Sequence, residues 1–188
     1  MEIENKFWHN IHINRLKKYY AQFSILDRLK NISGLFIELG VFKATSLIRI
    51  ASYLDFKFEQ TPTLYGFDTF DKFPKGEFPT EDDTKFLEEF LETAGQGLKV
   101  EDIEKIINEN QVNNISLIKG DINETFPKFL KEKNKPISFL HVDVDLYSVT
   151  KNALFQSLPY LQKGSIIMFD DYKKVDSSTK AIDEFISH

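Results

Sequence analysis

Five short apolar runs constrain this chain more than any other feature. They are LFIEL (35–39), TLYGFD (63–68), ISLIK (115–119), ISFLHVDV (137–144) and SIIMFD (165–170). Each is rich in β-branched and aromatic residues, and each is nearly continuous rather than alternating apolar and polar. A strand with that pattern is buried on both faces, as in a parallel sheet covered by helices. The intervening segments read as helices over Thr45–Leu54, Thr84–Ala94, Val100–Asn110, Glu124–Glu132, Ser148–Leu161 and Ser178–Ile186. Strand and helix in regular alternation predict an α/β fold, a doubly wound parallel sheet of Rossmann-like type. Before the first strand, Leu16, Tyr19, Tyr20, Phe23, Leu26 and Leu29 recur at helical spacing. Residues 11–30 are therefore expected to form a helix packed on the sheet, with Arg15, Lys17 and Lys18 on its wet side. The 188 residues thus divide into an N-terminal helical segment, 1–33, and one α/β domain, 34–188.

In an open α/β sheet, ligands bind beyond the carboxyl ends of the strands. Every strand here ends in acid: Glu38, Asp68, Asp121, the pair Asp143 and Asp145, and the pair Asp170 and Asp171. Any one of these can be a helix cap. Five at one edge are harder to explain that way, because a buried carboxylate costs free energy unless it is paired or metal-bound. The ends of the last two strands, with Asp143, Asp145, Asp170 and Asp171, can converge. Three carboxylates there would repel one another without a cation. That favours an oxygen-ligated ion such as Mg2+ over Asp170 alone binding or capping while the others pair with lysines such as Lys151 or Lys173. The absence of cysteine agrees, since it excludes thiolate nucleophiles and zinc–cysteine sites. His141 lies two residues before Asp143 and shares its strand face, as a base or as a satisfied core histidine. Tyr147 and Tyr172 flank the same edge. The stretch 68–84, with Phe70, Phe73 and Phe78, reads either as a lid or as a solvated insert.

The first strand is followed by IELGVFKATS, in which Gly40 stands without the further glycines of a dinucleotide fingerprint. That favours a ligand smaller and less anionic than NAD or FAD. Asp68 is placed to accept from a ribose diol, or to begin a loop. The net charge of −5 and the 21 Lys against 3 Arg argue against a nucleic-acid partner. No apolar run reaches the roughly 20 residues of a membrane helix, and MEIENKFW is not a signal peptide, so no membrane partner and a cytoplasmic location are expected. Homo-oligomer formation is left open.

FIELGVFKATS, LYGFDTFDKFP, LIKGDINETFP, LHVDVDLYSVTKNAL and GSIIMFDDY, in this order, resemble the macrocin O-methyltransferase family over about residues 34–187. The resemblance implies a class I methyltransferase fold that uses S-adenosyl-L-methionine and Mg2+ to methylate a hydroxyl of a small-molecule substrate, a sugar. It implies that Glu38, Gly40, Thr45 and Ser46 face the methionine end of the cofactor. Asp68 would then bind its ribose, and Gly120, Asp121 and Ile122 would border its adenine. Asp143, Asp170 and Asp171 would hold the metal, with Asp145 and His141 as candidate bases. Ala44 stands where the family commonly has glycine. The class I fold carries two further strands, six and seven, after the last helix, so the resemblance implies a chain short at its C-terminus. Two other functions compete. One is a haloacid-dehalogenase-like phosphohydrolase, suggested by Asp143-Val144-Asp145. The other is a non-catalytic module that binds the cofactor alone.

Overall fold

The computed structural model describes residues 2–70, 92–170 and 172–188. Five parallel strands, β1 (Leu35–Leu39), β2 (Leu64–Asp68), β3 (Ile115–Lys119), β4 (Ile137–Val142) and β5 (Leu161–Phe169), lie in the order β3-β2-β1-β4-β5. The helices that accompany them are α1 (Glu2–Asn10), α2 (Ile13–Leu26), α3 (Thr45–Lys57), α4 (Val100–Glu109), α5 (Ile122–Lys133), α6 (Tyr147–Ser157) and α7 (Asp176–Ile186). The expected α/β fold is therefore present. β1 and β4 are buried along their whole length, as their continuous apolar runs require.

The alternation of side chains along each strand separates two cores, one per face. Phe36 and Phe139 join Leu26, Leu29, Leu47, Ile50 and Leu54 on the face covered by α2 and α3. Ile37, Leu39 and Leu140 join Phe126, Phe129, Leu154 and Ile182 on the face covered by α5, α6 and α7. Because β1 is central and the chain leaves it first toward β2 and later toward β4, the sheet reverses its winding direction between β1 and β4. The crevice beyond that junction is where an open α/β sheet takes its ligand.

Three element boundaries differ from the sequence reading, each for a local reason. The single helix over 11–30 is α2 followed by a 3-10 turn at Asp27–Leu29, with α1 before it as a separate helix. α6 ends at Ser157 because Pro159 cannot continue it, and a 3-10 turn spans Leu158–Tyr160. β5 starts at Leu161, earlier than the apolar run, because Leu161 pairs with Ile137 across a register shift. The expected helix over 84–94 and the stretch 68–84 fall largely outside the described residues.

Candidate active site

β-strand periodicity sets the floor of the site. Phe36 and Glu38 of β1, Phe139 and His141 of β4, and Met168 of β5 face α2 and α3, and Asp143 and Asp170 continue the β4 and β5 rows one step past the strand ends. Glu38 and His141 are register partners across β1 and β4, and His141 and Met168 across β4 and β5. The sheet thereby sets Glu38, His141, Asp143 and Asp170 close together.

Glu38 and His141 have no solvent exposure. Glu38 Oε1 accepts a hydrogen bond from Ser46 Oγ at the start of α3, and lies 3.2 Å from His141 Nδ1. His141 Nε2 lies 3.7 Å from Asp170 Oδ1. Neither imidazole contact has hydrogen-bond geometry, and both ring nitrogens and Glu38 Oε2 are buried without a hydrogen-bond partner. Lys18 of α2 donates to Asp170 Oδ2 at 2.7 Å. This corrects the sequence reading, in which Lys18 was on the wet side of its helix. Arg49 of α3 donates to the buried Gln22 of α2 at 3.0 Å and lies over the Tyr19 ring, which ties α2 to α3 above the site.

The electrostatics follow from this packing. Burial alone would lower the His141 pKa, but the carboxylates of Asp170, Glu38 and Asp143 raise it to about 10. Burial pushes the Asp143 carboxyl up; the His141 charge opposes this, and Asp170, Asp145 and Glu38 reinforce it. Burial also disfavours the Asp170 charge, but His141 and Lys18 outweigh it and hold that carboxyl well below the usual carboxylate range. His141, Asp143 and Asp170 each offer one donor atom, and these atoms all lie within 4.8 Å of one another. Two carboxylates, an imidazole and unpartnered nitrogens suit a hard to borderline divalent cation. Asp171 lies outside the described residues.

Gly40 makes the close approach at the β1 end that its lone position suggested, but toward backbone. With φ +87, its missing Cβ would stand 1.8 Å from the Asp143 carbonyl oxygen. Strain gathers at this edge. Phe42, Ala44, Phe70, Asp145 and Lys173, all in loops after strands, have positive φ. Ala44, at φ +59, adopts the left-handed conformation that glycine takes without cost.

A cleft of about 460 Å3 opens above this floor and is lined by Gly40, Thr45, Ser46, Asp143, Asp145 and Asp170, with Lys18, Arg15 and Arg49 opposite. Other predicted residues serve local structure. Asp68 Oδ2 accepts from the Val41 and Phe42 amides at 2.8 and 3.0 Å, and its Oδ1 from the Phe70 amide at 2.9 Å. Asp121 caps α5, accepting from the Asn123 amide at 2.8 Å, between Gly120 and Ile122. Tyr147 and Tyr172 turn to α7, donating to Glu184 and Asp183. The residues that the sequence reading missed, Lys18, Arg15 and Arg49, sit on helices far from the acids in sequence. Their one signal was a polar row at helical spacing, Arg15, Lys18 and Gln22.

Among the described residues, no helix is long and apolar enough to cross a membrane. No curated protein matches the chain significantly. Several solved structures are similar. The apo structure of CalS11, described as a TDP-rhamnose 3'-O-methyltransferase in calicheamicin biosynthesis, is 25% identical, covering 97% of this chain and 76% of that one at TM-score 0.67. The O-methyltransferase NovP is 21% identical, covering 94% and 72% at TM-score 0.77. An O-methyltransferase from Bacillus cereus in complex with SAH is 13% identical, covering 95% and 70% at TM-score 0.55. The sequence model of the Macrocin-O-methyltransferase (TylF) family matches residues 12–188. With α2, the sheet and every described acid of the site inside that match, the chain belongs to the macrocin-O-methyltransferase family and is an S-adenosylmethionine-dependent O-methyltransferase.

Proposed function

We propose that this enzyme methylates a hydroxyl of a sugar or sugar-containing metabolite, with a hard divalent cation such as Mg2+ at His141, Asp143 and Asp170. The observation that carries this reading is the cluster of buried Glu38 and His141 with part-buried Asp143 and Asp170 at the edge of the β1–β4 crevice, in a member of this family. The similar TDP-rhamnose 3'-O-methyltransferase supports a sugar as the acceptor.

S-adenosylmethionine supplies an electrophilic sulfonium methyl, and Gly40, Thr45 and Ser46, which line the cleft, would face its methionine end. Bound cation supplies Lewis acidity toward the acceptor hydroxyl. Asp143 and Asp170 fix that hydroxyl in line with the methyl, which is the main rate effect open to a simple displacement. The acceptor oxygen forms a bond to the methyl carbon as the carbon–sulfur bond breaks, and S-adenosylhomocysteine leaves. The hydroxyl proton passes to Asp145, which lines the cleft. His141 would ligate a cation only as the neutral imidazole, so cation binding would release the proton that Asp170 and Glu38 favour on it. Asp68, with its carboxylate already engaged by three amides, holds the loop after β1 against β2.

Calorimetry with S-adenosylhomocysteine, with and without Mg2+, on the parent and on an Asp143→Asn/Asp170→Asn variant tests this assignment. The expected result is cofactor binding in both and Mg2+ binding in the parent alone. Equal Mg2+ binding by the variant would remove the metal from these residues.

A further inference from the structure

The cations that line the cleft are Arg15 and Lys18 of α2, Lys43 in the loop after β1, and Arg49 of α3. They differ in what already engages them. Lys18 is neutralised by Asp170 at 2.7 Å. Lys43 donates to the Ala94 carbonyl oxygen at 2.7 Å and lies over the Phe42 ring. Arg15 is exposed. Arg49 is half-buried and held in a fixed pose with most of its donors left over. Its Nε donates to Oε1 of Gln22 at 3.0 Å, and Gln22 is only 4% exposed. Its guanidinium carbon lies 4.4 Å from the centre of the Tyr19 ring. A guanidinium offers donors on all three nitrogens, and Gln22 takes only the one on Nε. Among the described residues, the terminal nitrogens of Arg49 have no hydrogen-bond or ion-pair partner.

The position of this guanidinium follows from α3. Arg49 lies one turn after Thr45, so the two share a helix face, and helical side chains lean toward the N-terminus. Arg49 therefore reaches toward the start of α3, where Thr45 and Ser46 line the cleft. The positive end of the α3 dipole lies there too. Opposite stand Asp143, Asp145 and Asp170. S-adenosylmethionine carries a sulfonium, an α-ammonium and one α-carboxylate. The acids attract the first two and repel the third, which needs a cation on the other side. We propose that Arg49 binds the α-carboxylate of S-adenosylmethionine through its terminal nitrogens and so fixes which way the methionine end is turned. A guanidinium fork matches a carboxylate bidentately. Gln22 and Tyr19 orient the fork, but α3 carries it, so the contact belongs to the cofactor side of the cleft. This assignment rests on the reading that the methionine end faces Gly40, Thr45 and Ser46, and adds the residue that recognises its charge.

The test is calorimetric titration of the full chain, free of divalent metal, with two probes. S-adenosylhomocysteine has the carboxylate; its decarboxylated analogue, S-adenosyl-3-thiopropylamine, keeps the adenosine, the thioether and the amine. The parent is expected to bind S-adenosylhomocysteine about tenfold or more tightly than the analogue. Arg49→Gln should lower S-adenosylhomocysteine affinity by about that factor and leave the analogue unchanged, so that the preference disappears. Arg49→Lys should restore part of it, because an ammonium replaces the fork by a point charge. Lys105→Gln, on α4, should change neither. A merely structural role for Arg49 would weaken both probes together, and circular-dichroism melts report whether each variant is folded. The proposal is overturned if the parent shows no preference, if Arg49→Gln keeps it, or if both probes weaken equally. Thr45→Trp separates this contact from the placement beneath it, since bulk at the start of α3 should obstruct the methionine end. If Thr45→Trp weakens S-adenosylhomocysteine binding and Arg49→Gln does not, the placement stands and the Arg49 contact falls; if neither weakens it, both fall.

Discussion

Gly40→Ala is the sharpest probe of how the fold builds the site. The added Cβ would stand 1.8 Å from the Asp143 carbonyl oxygen and 2.7 Å from its carbonyl carbon, and Gly40 has φ +87. Two costs follow. Holding alanine in left-handed backbone costs about 1–2 kcal/mol. Relieving the contact requires the β1 and β4 ends to separate by more than about 1 Å, against the Asp143 amide bond to Leu39 O at 2.9 Å, and overpacking of this kind costs about 1–3 kcal/mol. A total of about 3 kcal/mol lowers Tm by about 6–12 °C in a chain of this size. Because the atom that must move belongs to Asp143, methyl transfer should fall about 100-fold, the usual result of a 1 Å misplacement. The two costs can be separated. Gly95 has φ +72 with nothing within 4 Å, so Gly95→Ala measures the backbone cost alone. Gly97 meets its nearest neighbour at 3.4 Å, so Gly97→Ala should be nearly neutral. Thermal unfolding followed by circular dichroism compares the three. If Gly40→Ala melts no lower than Gly95→Ala, the close crossing of β1 and β4 does not exist and the argument fails.

Lys18→Met removes the cation from Asp170 at a partly buried position, and should cost about 1–2 kcal/mol in urea unfolding while tightening Mg2+ binding in calorimetry, since one positive charge no longer competes. Weaker Mg2+ binding in that variant would refute the metal position. His141 carries a pKa raised from 6.5 to about 10 by the Asp170 and Glu38 carboxylates against burial. The stability from its extra proton is complete below about pH 6.5 and disappears as pH rises toward 10. Metal-free unfolding between pH 6 and 10 should show this decline, and His141→Gln should flatten it; parallel profiles would mean that the charge is elsewhere. Asp121→Ala should cost about 1 kcal/mol through loss of the α5 cap, and Asp121→Asn almost nothing, as thermal melts would show.

How far the sequence reveals this enzyme depends on whether the deciding interaction is local. β1 and β4 are legible because both faces are buried, so the apolar pattern needs no knowledge of neighbours. The start of β5 is hidden because Gln162, Lys163 and Gly164 interrupt its apolar run, and the pairing of Leu161 with Ile137 overrides propensity there. α1 escapes notice because Phe7 and Trp8 are exposed and leave no core-facing stripe. The acids at the strand ends are equally visible from sequence, yet they do not have equal roles. Strand order decides, since only β1, β4 and β5 bring Glu38, Asp143 and Asp170 around His141, whereas Asp121, beyond the β3 edge, becomes a cap.

The acid ring therefore supports a narrower conclusion than its regularity invites. A row of carboxylates in an acidic chain suggests a cleft that is simply negative. The structure instead neutralises that row from outside the sheet: Lys18 meets Asp170 across 152 positions of sequence, and Arg15 lies one helical turn before it. α2 thus does more than cover a core face. It brings positive charge to the one place where the strands concentrate negative charge, so the field at the crevice changes sign over a few ångströms. A cationic methyl donor fits the carboxylate side of such a gradient, and under the proposed function the acceptor takes the side of α2. Deleting or shifting α2 should for that reason impair acceptor recognition more than cofactor binding, a split that KM measurements for the two substrates would reveal and that a purely structural role for the helix would not produce.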